Sequence, residues 1–187
     1  MRAVLCSQNP HKLAELSRAL RGWQIELLDA EEFPEEKGAT YYENARAKAR
    51  FGRMLDAHDV WMLGEDSGIE VATLGGGPGI ESARWAADGI ARLLEALRGV
   101  DDEDRSARYV CELVCLSPEL EEFRATGVLE GRIADEPRGS EGFGYDPIFI
   151  PEGEERTVAE LGNAWKAENS HRARAARALL ATMSAAV

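Results

Sequence analysis

Val60-Trp61-Met62-Leu63 is an apolar run that ends at Gly64 and is followed at once by two carboxylates, Glu65 and Asp66. Such a run closed by glycine reads as a buried strand, and a strand that ends on acids delivers them to a cleft edge. Adjacent carboxylates there suit a metal ion or acid–base chemistry. A lone Glu-Asp pair is ordinarily only an acidic turn on a solvated surface, but the flanks change that reading. Ser67 and Gly68 follow directly, and the turn Gly75-Gly76-Gly77-Pro78-Gly79 closes on Ser82 and Arg84. Backbone N–H groups, a hydroxyl and a guanidinium beside two acids suit a phosphate held through magnesium.

A chain of 187 residues, 44% hydrophobic, is long enough for one cored domain and too short for two ordinary ones. The expectation is a single domain over 1–187. A formal charge of -12 argues against a nucleic-acid polymer as partner, because a polyanion needs an extended basic surface. A small anion gathered by local positive charge stays open. No apolar run approaches the roughly 18 residues of a membrane span. Met1-Arg2-Ala3-Val4-Leu5-Cys6 enters a strand rather than a signal peptide, which points to a cytoplasmic protein with no membrane partner. Cys111 and Cys115 lie in the run Tyr109 to Leu116, about 13 Å apart along one strand face. That is too far for one metal or a disulfide, so they and Cys6 read as core residues. Lys12, Lys37, Lys48 and Lys166 are the only lysines among 22 basic residues, which singles them out for inspection.

In order, the chain reads as a strand from Arg2 to Ser7, a polar loop to Lys12, and an amphipathic helix to about Arg21. Asn9 caps that helix and Pro10 suits its first turn; the strand, loop and helix N-terminus with Lys12 form an anion cradle. His11 reads as a solvated loop residue rather than a catalyst. A strand from Ile25 to Leu28 leads into the acidic loop Asp29 to Glu36, where Glu36 is either surface charge or a second metal ligand. Thr40-Tyr41-Tyr42-Glu43 is a capping box opening a helix to about Asp56, after which His58 reads as incidental. A short helix from Gly89 to Leu97, a solvated charged loop Asp101 to Arg105, and a hairpin of Ala107 to Leu116 with Glu122 to Glu130 follow. Glu141-Gly142-Phe143-Gly144-Tyr145-Asp146-Pro147-Ile148-Phe149 is an aromatic loop able to stack on a planar group. A capped turn at Thr157 to Glu160 precedes a final helix from Ser170 to about Met183. Lys166, Ser170, His171 and Arg172 gather at its start, where cations oppose the helix dipole unless an anion or electron-rich ligand lies alongside.

Several of these stretches together resemble one family, the Ham1-like diphosphatases of inosine, deoxyinosine and xanthosine triphosphates. The resemblance runs through Ser7-Gln8-Asn9 with Lys12, Glu43-Asn44-Ala45 with Lys48-Ala49, and Asp66-Ser67-Gly68 with Pro78-Gly79 and Ser82-Ala83-Arg84. It continues through Gly142 to Phe149 and ends at Ser170-His171-Arg172, covering nearly the whole chain. It implies an α/β fold, a long twisted mixed sheet with flanking helices in two lobes around a central cleft, as a homodimer. Triphosphate contacts are implied at Ser7, Gln8, Asn9, Pro10, His11, Lys12 and Ser67. Magnesium is implied at Glu36 and Asp66, with Asp66 the proton acceptor for water and Lys12 stabilising the leaving diphosphate. Base and sugar contacts fall to Phe143, Gly144, Tyr145, Asp146, Lys166, His171 and Arg172.

The implied reaction cleaves a purine nucleoside triphosphate to monophosphate and pyrophosphate. A diphosphatase of modified pyrimidine nucleotides and a non-catalytic nucleotide sensor are the alternatives. The chain departs from the family pattern at Glu65, where a second aspartate is usual, at Ala173, where glycine is common, and in a short segment after Arg84.

Overall fold

The computed structural model describes residues 1–55 and 59–185. The strands are β1 (Arg2–Leu5), β2 (Gln24–Leu27), β3 (Trp61–Val71), β4 (Ser106–Leu116), β5 (Glu122–Ile133) and β6 (Phe149–Pro151). The helices are α1 (Pro10–Ala19), α2 (Tyr41–Leu55), α3 (Gly89–Ala96), α4 (Val158–Asn169) and α5 (His171–Ala185). Among the described residues the strands form one sheet in the order β2-β1-β3-β4-β5-β6. β1 runs parallel to both β2 and β3, and β5 antiparallel to β6, so the fold is the expected mixed α/β type. Contacts divide the chain into two compact units. The first is Met1–Asp66, Cys111–Gly127 and Arg172–Val187; the second is Ser67–Val110 and Val128–His171.

Strand alternation organises the first unit. Ala3 and Leu5 of β1, Leu63 of β3, and Cys111, Leu113 and Cys115 of β4 pack with Leu16 and Leu20 of α1 and Ala175, Ala176 and Leu179 of α5. Their neighbours Val4, Met62 and Val114 pack with Cys6 and with Ala45 and Ala49 of α2. Successive side chains point to opposite faces, so strands covered on both faces read as unbroken apolar runs. The three cysteines are free and buried, as expected of core residues. Burial pushes the Cys6 thiol up to about 12.

Helix starts follow local chemistry. Asn9 Oδ1 accepts the N–H groups of His11 at 2.9 Å and Lys12 at 3.4 Å, with Pro10 at the first helical position. Thr40 Oγ1 accepts from Glu43 N–H at 3.2 Å, while the Glu43 carboxylate reaches one residue beyond the expected cap, to Ala39 N–H at 2.6 Å. The expected end of this helix at Asp56, and His58, lie outside the described residues.

One reading is corrected here. β3 does not stop at Gly64 but runs through Glu65, Asp66 and Ser67 to Val71. Gly64 marks a close approach: a Cβ there would stand 1.9 Å from the Ala45 carbonyl oxygen of α2. Gly52 does the same from the helix side, where a Cβ would meet Cys6 Sγ at 2.2 Å.

The second unit has its own core of Ile69, Val71, Leu93, Tyr109, Ile133 and Phe149 with their neighbours. Arg105, expected on a solvated loop, is 4% exposed. Its guanidinium donates to the carbonyls of Ile133 at 2.9 Å, Leu97 at 3.2 Å and Ala134 at 2.8 Å. The capped turn at Thr157 grows into the full helix α4, with both halves of its capping box formed. The short β6 was not visible in the sequence pattern.

The glycine-rich turn is also corrected. Gly75, Gly76 and Gly77 spend their N–H groups on Ala72, Val71 and Leu74 carbonyls. Ser82 Oγ accepts from Ile69 N–H at 2.9 Å, and Arg84 pairs with Glu81 at 2.6 Å. The N–H groups of Gly75, Gly76 and Gly77 are therefore engaged within the turn and with the end of β3, and the Ser82 hydroxyl is engaged with Ile69.

Candidate active site

Within the first unit the site grows from β3. Glu65 follows Leu63 by two residues and so faces α1 and α5, while Asp66, like Met62, faces α2. Each acid meets the cations of its own face.

Glu65 is 0% exposed. Its Oε2 lies 2.5 Å from Lys12 Nζ, and its Oε1 accepts from Arg172 Nε at 2.9 Å. A second Arg172 nitrogen stands 3.3 Å from Glu15 Oε2, itself buried. The Glu65 carboxylate thus spans two cations at once. Burial opposes charge on Glu65, but Lys12, Arg172 and Lys48 overcome it and hold the carboxyl well below its usual range.

On the other face Asp66 Oδ2 accepts from Asn44 Nδ2 at 3.0 Å, and Oδ1 accepts from Lys48 Nζ at 2.9 Å. Lys48 also donates to the Glu65 carbonyl at 3.0 Å and stands 2.5 Å from Glu36 Oε1. Asn44 Oδ1 takes the Gly38 N–H at 2.8 Å, which fixes the end of the acidic loop beside Glu36. Burial raises the Asp66 pKa; Lys48 pulls it down, Glu36 and Glu65 push it up, and the net shift is upward. Burial disfavours the Lys48 ammonium, yet Asp66, Glu65 and Glu36 keep its pKa raised.

Glu36 and Asp66 therefore converge on one cation. Among the described residues no three His, Cys, Asp or Glu side chains group as a metal site. A two-carboxylate, oxygen-only set still fits magnesium, which commonly keeps several waters and takes the rest of its shell from substrate phosphates.

The polar loop is placed as the sequence suggests. Ser7 Oγ accepts from Asn9 N–H at 3.1 Å, Gln8, Pro10 and His11 are exposed, and Lys12 sits in the first turn of α1. Ser67 follows Asp66 on β3 and is half-buried.

The second unit assembles another set. Lys166 Nζ lies 2.6 Å from Asp146 Oδ2, which also accepts from Phe143 N–H at 2.8 Å. The ammonium stands 4.5 Å from the Phe143 ring centroid, within cation–π range. Tyr109 donates to Asp146 Oδ1 at 3.3 Å and stacks on His171 with ring centroids 4.6 Å apart. Tyr145 is buried and donates its hydroxyl to the Ser82 carbonyl at 3.0 Å, and Gly144 takes φ 62° in the exposed bend before it.

Arg172 opens the last stretch of the first unit, directly after His171 in sequence. Its guanidinium is held by Glu65 and Glu15 in the first unit. Asn44, Lys48 and Glu15 were not among the expected site residues. Lys48 had a signal, as one of only four lysines and four residues after Asn44, so that both share a helix face. Glu15 stands three residues after Lys12 on α1, again on one face.

A profile of the Ham1 family matches residues 3–182, and the chain belongs to that family. A dITP/XTP pyrophosphatase of Thermus thermophilus is 42% identical, over 96% of this chain and 90% of its own. Another, from Deinococcus radiodurans, is 43% identical over 98% and 94%. The solved Ham1 protein of Staphylococcus aureus superposes with a TM-score of 0.85 at 33% identity, over 100% of both chains. A HAM1 protein of Coxiella burnetii gives 0.82 at 37%, over 99% of each.

Proposed function

We propose that this chain hydrolyses non-standard purine nucleoside triphosphates, those of inosine, deoxyinosine and xanthosine, to the monophosphate and pyrophosphate, clearing them from the nucleotide pool. It does so as one catalytic domain over 1–187, with magnesium, as a cytoplasmic homodimer. The observation that carries this reading is Asp66, a buried carboxylate with a raised pKa, held through one oxygen by Asn44 and the other by Lys48. A base so fixed is oriented before substrate arrives and stands nearer neutrality than an ordinary acid. The dITP/XTP pyrophosphatases of about 40% identity support the substrate class.

In the proposed reaction Asp66 takes the proton of the attacking water as the bridge between the α and β phosphoryl groups breaks. Lys12, pinned by Glu65, stabilises charge on the departing diphosphate, and the loop from Ser7 with Ser67 positions the phosphates. When bound at Glu36 and Asp66, magnesium supplies charge neutralisation at the phosphate oxygens. Phe143 stacks on the base beside Gly144 and Tyr145, with Asp146 holding Lys166 for the base and sugar. A purine with a 6-oxo group presents an acceptor where adenine presents a 6-amino donor, so donors from Lys166, His171 or Arg172 favour the former.

Pyrophosphate release from inosine, xanthosine, adenosine and thymidine triphosphates, with and without magnesium, tests the reading. Release from the first two, dependent on magnesium, is expected. Preference for the thymidine nucleotide, or no release from any, would refute it.

A further inference from the structure

Gly162 breaks α4. Its backbone takes φ 85° and ψ 174°, outside helical space, so the segment that follows begins with N–H groups lacking a helical acceptor. The first of them, on Asn163, donates to Glu141 Oε2 at 2.8 Å. The break is shaped to that carboxylate: a Cβ on Gly162 would stand 3.1 Å from the same oxygen. Its positive φ is one that glycine adopts without steric cost.

Three residues on, the same segment presents Lys166 to Asp146 and Phe143. Glu141 and Asp146 are the two ends of the loop that carries Phe143. At the far end Asp146 accepts the Phe143 N–H, and a Cβ on Gly142 would stand 2.2 Å from Asp146 Oδ2. The loop is therefore pinned twice to one short stretch of helix, by Glu141 at Asn163 and by Asp146 at Lys166. With both pins in place, Phe143 and Lys166 have a fixed relation to each other.

We propose that Glu141 is a positioning residue for the nucleotide base: it caps the second segment of α4 and so sets Phe143 against Lys166 without touching substrate. This rests on the reading of Phe143 and Lys166 as base-side residues. The Asn163 N–H is a neutral donor, so the cap needs an acceptor oxygen in that place and not a charge.

Wild type, Glu141→Ala and Glu141→Gln of the full chain are compared by amide hydrogen exchange at Asn163, by calorimetric binding of inosine monophosphate, and by kinetics with inosine triphosphate. In Glu141→Ala, Asn163 exchange should speed up, and Kd and KM should each rise about fivefold, the scale of a lost helix cap. kcat should stay within about twofold, since the phosphate-side residues are untouched. Glu141→Gln, whose amide oxygen accepts the same bond, should recover most of the loss. Equal binding by Glu141→Ala and wild type, a fall in kcat alone, or a Gln variant as impaired as Ala would each overturn the positioning role. Wild type that binds no nucleotide would overturn the base-side reading along with it, and this is seen before any substitution is made.

Discussion

Asp66 and Glu65 are neighbours in sequence and opposites in electrostatics, because alternation along β3 sends them to different faces. Glu65 is an anchor. Replacing it with glutamine leaves Lys12 and Arg172 short of a buried counter-charge, at a cost of about 3–5 kcal/mol. Its folded pKa is depressed, so the stability it contributes is present above the ordinary carboxylate pKa of about 4.3 and lost as pH falls through the folded value. The Tm gap between wild type and Glu65→Gln should thus hold steady from about pH 7 to 5 and shrink in stronger acid; a gap that widened there would contradict the assignment. Arg172→Ala should cost about 3–5 kcal/mol in chemical denaturation, since it strips a partner from both Glu65 and Glu15. A loss under about 1 kcal/mol, the range of a surface pair, would mean the network is solvated.

At the level of elements, much was legible because each local signal had a local cause. Asn9 and Pro10 open α1, Thr40 opens α2, and the apolar runs became strands covered on both faces. What failed was glycine. Gly64 was read as a stop, yet it lets the α2 backbone approach β3, and the information that settles its meaning lies on Ala45, nineteen residues earlier. Gly162 has a related effect in α4, where a mid-helix break hid all but the first turn of a capped helix. Arg105 looked solvated from its acidic neighbours, but its carbonyl partners are remote in sequence. Gly64→Ala therefore tests the close approach. Overpacking typically costs about 1–3 kcal/mol and more when backbone must move, so its urea midpoint should fall clearly below that of wild type. An unchanged midpoint would show that the two elements part without cost.

On the scale of the whole molecule, a chain of net charge -12 gathers three of its four lysines onto buried or half-buried carboxylates, leaving Lys37 exposed. Each of the three is thus held in place by its own carboxylate. The scarcity of lysine was visible in the sequence; that Lys48 sits between Glu36 and Asp66 was not, since it depends on how α2 lies against β3. The measurement closest to the central claim is pyrophosphate released per second from inosine triphosphate at saturating magnesium, by wild type and by Asp66→Asn. The amide keeps the size of the side chain but cannot accept a proton, so turnover should fall by about 10²-fold or more with the Tm little changed. Near-normal turnover in Asp66→Asn would contradict the account.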